Sequence, residues 1–362
     1  MARLALIPGD GVGPEVVAEA TRVLEILARD PELTLELETL DLGADRFLAT
    51  GRSITEEEFR RLSDDFDAIL LGALGDPRVP GNEHARDILL GLRFRMDLYV
   101  NYRPCRVRHP RLSPLHHPDG RAMDLHIFRE NTEGVYTGAG GTLRGGTDQE
   151  IAIEEDVNTR HGVERIVRAA FEFAHEGGRK RVTLVDKANA MPHGGALWRR
   201  TFHEVASTYP EVRTETMYVD AMVMDLVRRP AHHDVVVTSN LFGDILSDLA
   251  AALTGGLGLA ASANVNPETG RALFEPVHGS APDIAGSGRA NPIAAILCTA
   301  LLMDHLGRPD LAGLVNGVVA EALQAGLGTP DLGGEATTSE VGRWIAGRVA
   351  MRMSAGVEPN DD

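Results

Sequence analysis

The segment Asn240-Leu241-Phe242-Gly243-Asp244-Ile245-Leu246-Ser247-Asp248-Leu249 follows an apolar run over 235–238 that reads as a buried strand. On a helix, Asp244 and Asp248 lie four residues apart and share one face. Like charges so placed repel, so a cation, an arginine or the helix N-terminus near Asp244 must compensate them. Oxygen-only ligands of this kind suit Mg²⁺ or Mn²⁺, although the same spacing also describes an ordinary solvated face. A further acid, Asp220, interrupts the apolar run 217–222 and must be paired or line a cleft, because an unpaired buried charge is costly. Lys187, in Val185-Asp186-Lys187-Ala188-Asn189, stands just past another buried-type strand. The carboxyl ends of strands form the ligand crevice of an α/β sheet, so a lysine there can shuttle protons; an ordinary surface lysine at a strand end is the plainer alternative.

Arg93, Arg103 and Arg129 each sit near apolar or strand-like stretches, over 89–94, 98–104 and 125–128. Guanidinium forks answer carboxylate-rich ligands, and with Tyr136 close behind Arg129 they are candidates for an anion-binding acid/base site. Taken singly, each arginine also fits an ordinary surface position. Gly9-Asp10-Gly11-Val12-Gly13-Pro14 follows a strand and opens a helix, but the dinucleotide fingerprint requires a third glycine where Pro14 stands. It is not read as a Rossmann fingerprint. The better nucleotide loop is Glu275-Pro276-Val277-His278-Gly279-Ser280-Ala281-Pro282-Asp283-Ile284-Ala285-Gly286, whose small residues let backbone N–H groups approach phosphates. A carboxylate at Asp283 suits ribose hydroxyls and repels a 2′-phosphate, which favours NAD over NADP.

The elements that must position these groups alternate. Apolar strands over 4–7, 35–40 and 68–71 are separated by helical patterns over 14–28 and 54–62, the second opened by a Thr55/Glu58 capping box, and this alternation predicts a parallel sheet covered by helices. The stretch 106–120 is rich in Pro, His and Arg, and 134–146 is rich in glycine, so long exposed connections are expected there. Helices over 163–175, 195–208 and 244–253 and strands over 182–185 and 235–238 follow. Helices over 291–306, 311–325 and 339–350 close the chain before a frayed end at 356–362.

At 362 residues and 43% hydrophobic composition, two domains with a sizeable core are expected. The 36 basic residues against 53 acidic ones leave a formal charge of −17, which disfavours nucleic acid and anionic lipid as partners. Two cysteines are too few for a disulfide framework or a thiolate metal cluster, so a reducing, cytoplasmic setting is expected. The early Pro8 and Gly9 argue against a signal peptide, and no apolar run reaches the ~18 residues of a membrane span.

Taken together, GDGVGPE, the stretch from Arg93 to Pro104, RENTEGVY, VDKAN, YVDAM, SNLFGDILSDL, FEPVHGSAPDIAG and ANPIAAI resemble, in order and spacing, the β-decarboxylating dehydrogenases of 3-isopropylmalate, isocitrate, homoisocitrate, tartrate and D-malate. The resemblance covers essentially the whole chain. It implies an α/β fold of the isopropylmalate/isocitrate dehydrogenase type rather than a Rossmann fold, with two α/β domains and the active site in the cleft between them. A large domain of 1–98 plus 255–362 would carry the NAD loop, and a middle domain of 99–254 would dimerise and bind metal and substrate.

The resemblance further implies that Arg93, Arg103 and Arg129 hold a dianionic malate moiety and that Asp220, Asp244 and Asp248 hold Mg²⁺ or Mn²⁺, with K⁺ left open as an additional cation. The sites would be shared across a homodimer, Lys187 and Asp220 coming from the second subunit, with Asp220 also near substrate. Lys187 would help to deprotonate the C2 hydroxyl, hydride would pass to the nicotinamide, the metal would stabilise the enolate left by CO₂ loss, and Tyr136 would supply the proton. NAD contacts would fall on Asn189, Glu275, His278, Gly279, Ser280, Ala281, Asp283, Ile284 and Asn291. Leu89 and Leu90 match leucines that face an apolar C3 group, which places 3-isopropylmalate, and so leucine biosynthesis, first. D-malate, tartrate or a specialised 3-alkylmalate come next. Many isopropylmalate enzymes have Glu at Arg86, and ENTEG-type segments are common in the other branches. A non-catalytic regulatory paralogue would have lost some of these residues, and a metal-dependent hydrolase would leave the HGSAPD loop and the arginines without a role.

Overall fold

In the computed structural model, which describes residues 1–115 and 123–355, the chain divides into two compact units. One comprises Met1–Met96, Val107–Pro114 and Thr254–Asp362; the other comprises Asp97–Arg106 and Leu115–Leu253.

The first unit begins with β1 (Ala2–Gly9), α1 (Gly13–Leu27), β2 (Leu35–Thr39), α2 (Ala44–Thr50), α3 (Glu56–Asp64) and β3 (Ala68–Ala73). β1 runs parallel to both β2 and β3, and β3 is buried at every position, as its unbroken apolar run requires. The Thr55/Glu58 capping box is present at the start of α3. A short helix α4 (Glu83–Ala85), a π-helical turn over Arg86–Leu90 and α5 (Gly91–Arg95) complete this segment.

The chain then builds the second unit from β4 (Val100–Arg106), β5 (Asp124–Glu130), the hairpin β6 (Gly140–Leu143) and β7 (Ile151–Glu154), α6 (Arg160–Glu176), β8 (Arg181–Asp186), α7 (Pro192–Ala206), β9 (Arg213–Tyr218), α8 (Val219–Arg228), β10 (Val235–Thr238) and α9 (Asn240–Thr254). Its sheet order is β4-β5-β10-β8-β9. Returning to the first unit, the chain forms β11 (Ala261–Asn266), β12 (Arg271–Pro276), α10 (Ile293–His305), α11 (Pro309–Gln324) and α12 (Thr338–Ser354). There β12 pairs parallel with β3, and α10 is apolar on nearly all sides, as suits a helix buried in a core.

Two expectations change and one holds: the strands over 4–7, 35–40 and 68–71 do pair parallel, as β1, β2 and β3, while antiparallel pairs form elsewhere, β4 with β5 and β11 with β12. The four residues joining β11 to β12, ending at Gly270 with φ +73°, suffice only for a hairpin. The glycine-rich stretch after Gly134 is not wholly a connection, since it contains β6: a side chain at Gly140 would meet the Ile153 carbonyl oxygen at 2.1 Å, so glycine there permits pairing with β7. The helix carrying Asp244 starts at Asn240, which puts Asp244 in its second turn, beyond the N-terminal peptide groups that are one of the three candidate compensating partners. Part of the Pro/His/Arg-rich stretch, 116–122, and the frayed end at 356–362 lie outside the described residues. Among those described, no helix is long and apolar enough to cross a membrane.

Candidate active site

In the second unit, strand pairing sets Arg129 of β5 opposite Thr238 of β10, two residues before α9 begins. A side chain at Gly243 would meet the Arg129 Cγ at 2.5 Å, so the glycine lets the arginine stem lie against the helix. Arg129 is 1% exposed. Its Nε and Nη2 donate to Asn240 Oδ1 at 3.0 and 2.7 Å, and its Nη1 donates to Asp244 Oδ1 at 2.5 Å. Arg103, buried on β4, donates through Nη1 to Ser247 Oγ at 2.6 Å and through Nε to Asn101 Oδ1 at 2.8 Å. Its guanidinium also lies 3.6 Å from Asp244 and 3.9 Å from Asp248. Two buried guanidinium groups are therefore the compensating charge for the α9 carboxylates.

Tyr136, in a short turn after β5, donates its hydroxyl to Asp244 Oδ2 at 3.1 Å and lies under the Arg129 guanidinium, 5.2 Å from ring centroid to Cζ. Burial first, and the Asp244 charge second, raise its phenol above the usual range. The Asp248 carboxyl is also raised, by burial and then by Asp244, with Arg103 and Arg129 opposing. A pair of adjacent carboxylates whose mutual repulsion is incompletely offset is a donor set that fits a hard divalent cation.

Lys187 follows β8, and its Nζ donates to Asp220 Oδ1 at 2.6 Å in the first turn of α8. This ion pair holds the Asp220 carboxyl below its usual range. Asp220 is thus exposed and paired, and a single chain does not bring it together with Asp244 and Asp248 into a three-carboxylate cluster. Asn189 is exposed in the turn after Lys187.

In the first unit, Arg93 of α5 is buried and donates through Nη2 to Glu275 Oε1 at 2.6 Å. Asn264 of β11 donates to the same oxygen at 2.9 Å. Leu89 and Leu90 are half-buried in the π-helical turn. The loop after β12 is tied to the first glycine cluster: Val12 N donates to the Ser280 carbonyl at 2.8 Å, and a side chain at Gly11 would meet that oxygen at 2.0 Å. Ala281 holds a left-handed φ of +38°, a strained conformation for a residue with a β-carbon. The His278 Nδ1 donates to the Gly279 carbonyl at 3.0 Å, which makes the buried Nε2, without a hydrogen-bond partner, a lone-pair acceptor. Asp283 is exposed and Ile284 half-buried. Asn291 donates to Asp331 at 3.0 Å, and a side chain at Gly258 would come within 2.7 Å of both. A strained loop with an orphaned acceptor and a glycine-lined approach fits a nucleotide.

Sequence reasoning did not assign roles to Asn240, Ser247 and Asn101, which orient the two buried arginines, or to Asp331. The first two stand inside the motif that carries Asp244 and Asp248, whereas no local signal marks Asn101 or Asp331.

The family description for isocitrate/isopropylmalate dehydrogenase matches residues 3–345. A 3-isopropylmalate dehydrogenase of Thermobifida fusca is 49% identical over 352 residues, 96% of this chain and 98% of that protein. One from Streptomyces coelicolor is 49% identical over 349 residues, again 96% and 98% of the two chains. Among solved structures, an isocitrate dehydrogenase from Methylococcus capsulatus matches at TM-score 0.87 with 37% identity, covering 97% of this chain and 100% of its own. A β-decarboxylating dehydrogenase from Thermococcus kodakarensis matches at 0.80 with 39% identity over the whole of both chains.

Proposed function

This chain belongs to the isocitrate/isopropylmalate dehydrogenase family, and from that premise we propose that it oxidises and decarboxylates 3-isopropylmalate to 4-methyl-2-oxopentanoate. It is an oxidoreductase of the decarboxylating dehydrogenase class. The observation that carries the reading is the single constellation of Arg103, Arg129, Tyr136, Asp244 and Asp248, in which cationic forks, a protonated phenol and paired carboxylates converge.

Arg103 and Arg129, with Arg93, take the two carboxylates of the malate moiety, bidentate forks holding the substrate against rotation. Arg93 needs Glu275 and Asn264 for its own orientation, so Glu275 serves cofactor and substrate binding through that buried pair. Asp244 and Asp248 hold Mg²⁺ or Mn²⁺, joined by Asp220 of a second subunit, and K⁺ is a further candidate cation. His278, Gly279, Ser280, Ala281, Asp283, Ile284 and Asn291, with Asn189, hold NAD, the exposed Asp283 carboxylate favouring ribose hydroxyls over a 2′-phosphate. When bound, the divalent cation supplies Lewis-acid polarisation of substrate oxygens, and the nicotinamide supplies a hydride acceptor.

Lys187, oriented by Asp220, would first lose its own proton to solvent on substrate binding and then, as the neutral amine, take the proton of the C2 hydroxyl as the C2 hydride leaves. Loss of CO₂ from the carboxylate on C3 leaves an electron pair there, and the Tyr136 hydroxyl, kept protonated by burial and the Asp244 charge, delivers the proton to C3. Leu89 and Leu90 meet the isopropyl group; each methylene in such contact is worth about 1–3 kcal/mol of discrimination.

A homodimer is supported by exposed apolar side chains of the second unit: Met224 and Val227 on α8, Leu241 and Ile245 on α9, and Leu143, Ile151 and Ile153 on the β6–β7 hairpin. Two buried free cysteines, Cys105 and Cys298, suit a reducing cytoplasmic setting. The test compares kcat/KM for 3-isopropylmalate, D-malate, tartrate and isocitrate with NAD and Mn²⁺. The expected ranking places 3-isopropylmalate first, with one NADH and one CO₂ per turnover; a higher value for another malate would overturn the substrate assignment.

A further inference from the structure

Glu215 of β9 and the adjacent His232 and His233, which lead into β10, bring one donor atom each within 4.8 Å of one another, and they are the one such trio of His, Cys, Asp or Glu among the described residues. They stand toward the N-terminal ends of β9 and β10, whereas Lys187 and α9 follow the C-terminal ends of β8 and β10. The six residues of β8 put roughly 20 Å between the two ends of the sheet. We propose that Glu215, His232 and His233 form a second cation site, selective for a late first-row divalent ion of the Zn²⁺ or Co²⁺ kind.

The donor chemistry differs from that of Asp244 and Asp248. Two imidazoles and one carboxylate, with a position left for water, are the ligand set of zinc-type ions rather than of Mg²⁺. Donors around one tetrahedral ion lie roughly 3.4 Å apart. Glu215 and His232 are partly exposed, with room to move inward by the difference once Arg181 releases His232, and His232 Nε2 already lies 3.5 Å from Glu215 Oε2. His233 is preset. Its Nε2 donates to Asp225 Oδ2 at 2.8 Å, and Asp225 is itself gripped by both Nε and Nη2 of Arg229, at 2.8 and 2.9 Å. A carboxylate behind a histidine fixes the tautomer and orients the ring, here leaving Nδ1 as the lone-pair atom with only a long 3.5 Å contact to the Thr183 hydroxyl.

Two guanidinium groups oppose the ion, Arg229 through its field at Glu215 and Arg181 by direct contact. The Arg181 guanidinium hydrogen-bonds His232 Nε2 and also the His232 carbonyl, the latter at 2.8 Å. Arg181 and a cation therefore compete for one lone pair, and Arg181 must swing off Nε2 for the ion to bind. Asp225 lies on α8, the helix whose first turn carries Asp220, so an ion here braces the far end of that helix.

The test uses full-length enzyme stripped by chelator and held in millimolar Mg²⁺, which occupies the carboxylate-only site, while Co²⁺ is titrated and read by visible absorption and equilibrium dialysis. One Co²⁺ per chain is expected, with the intense bands of a low-coordinate nitrogen/oxygen site and a rise in Tm as the ion binds the folded state. His232→Asn and Glu215→Gln should each weaken Co²⁺ binding at least tenfold while leaving NAD-linked turnover unchanged, which also reports that the variants are folded. Arg181→Gln should tighten binding several-fold. Absence of Co²⁺ binding under Mg²⁺, unchanged binding in His232→Asn, or weaker binding in Arg181→Gln would each overturn the assignment.

Discussion

Arg129 and Asp244 are locked across the gap between β5 and α9: Nη1 donates to Oδ1 at 2.5 Å, while Nε and Nη2 share the Asn240 side chain one turn earlier on the helix. The buried guanidinium thus sets both the helix start and the direction of a proposed metal ligand. Lysine at this position keeps the charge but loses the fork. Arg129→Lys is expected to lower kcat/KM for 3-isopropylmalate by ~100-fold or more. Steady-state kinetics beside a melting curve check this, and near-normal kcat/KM in a folded variant would refute the role.

Asp248 illustrates a cost accepted for binding. Burial and the neighbouring Asp244 raise its carboxyl above the usual range, so its ionised form is less favoured than that of a free carboxyl. Asp248→Asn should weaken Mn²⁺ binding by about tenfold or more through loss of a charged ligand, and should leave Tm unchanged or higher because a repulsion is removed. Mn²⁺ binding followed by electron paramagnetic resonance, with a parallel melt, separates the two effects. Unaltered affinity would remove Asp248 from the site.

Tyr136→Phe retains the ring beneath Arg129 and removes only the hydroxyl. With the proton donor to C3 gone, kcat should fall by ~10²–10⁴ while the KM for 3-isopropylmalate changes little. A loss confined to KM would recast the residue as a binding contact.

Much of this site is legible in the residue order because its parts are local. Asp244, Asp248, Asn240 and Ser247 all come from one ten-residue motif, and helical spacing alone puts the two carboxylates on one face. What answers their charge is not local: Arg129 and Arg103 reach α9 from 115 and 145 positions earlier, through a register set by β5 against β10 and by β4 against β5. The helix begins four residues before the start expected at Asp244, for a related reason. Gly243 reads as a break in an apolar pattern, yet it sits inside α9 because the Arg129 stem occupies the space a side chain would need. The antiparallel β11–β12 pair carries little local signal, because Ala261–Asn266 alternates small and polar residues and its burial comes from α10 rather than from its own pattern.

Arg93 tests whether orientation at a distance matters. Its Nη2 depends on Glu275 Oε1, which also accepts from Asn264. Glu275→Gln keeps the shape and removes the charge, leaving a buried guanidinium without its counter-ion. Substrate KM is expected to rise more than kcat falls, and Tm to drop by several degrees. A KM unchanged in the variant would show that Glu275 acts on the folded state alone.

A stability prediction lies outside the site, at the start of α3. Glu58 receives Nη1 and Nη2 of Arg46 at 2.6 and 2.8 Å and closes the capping box with Thr55. The Arg46 hydrogen bonds come first among the causes that bring its carboxyl down to about 2, from an ordinary value of 4.5. Because the folded value is the lower one, the unfolded chain binds more protons between the two. The stabilisation is therefore complete above about 4.5 and is lost as pH falls through that window toward 2. Glu58→Gln should cost about 1–2 kcal/mol at neutral pH, a figure reduced for partial exposure of the pair. Denaturant melts of both proteins at pH 7 and pH 3 decide the matter: the gap should narrow in acid, and a gap that stays constant would assign the effect to capping geometry rather than to charge.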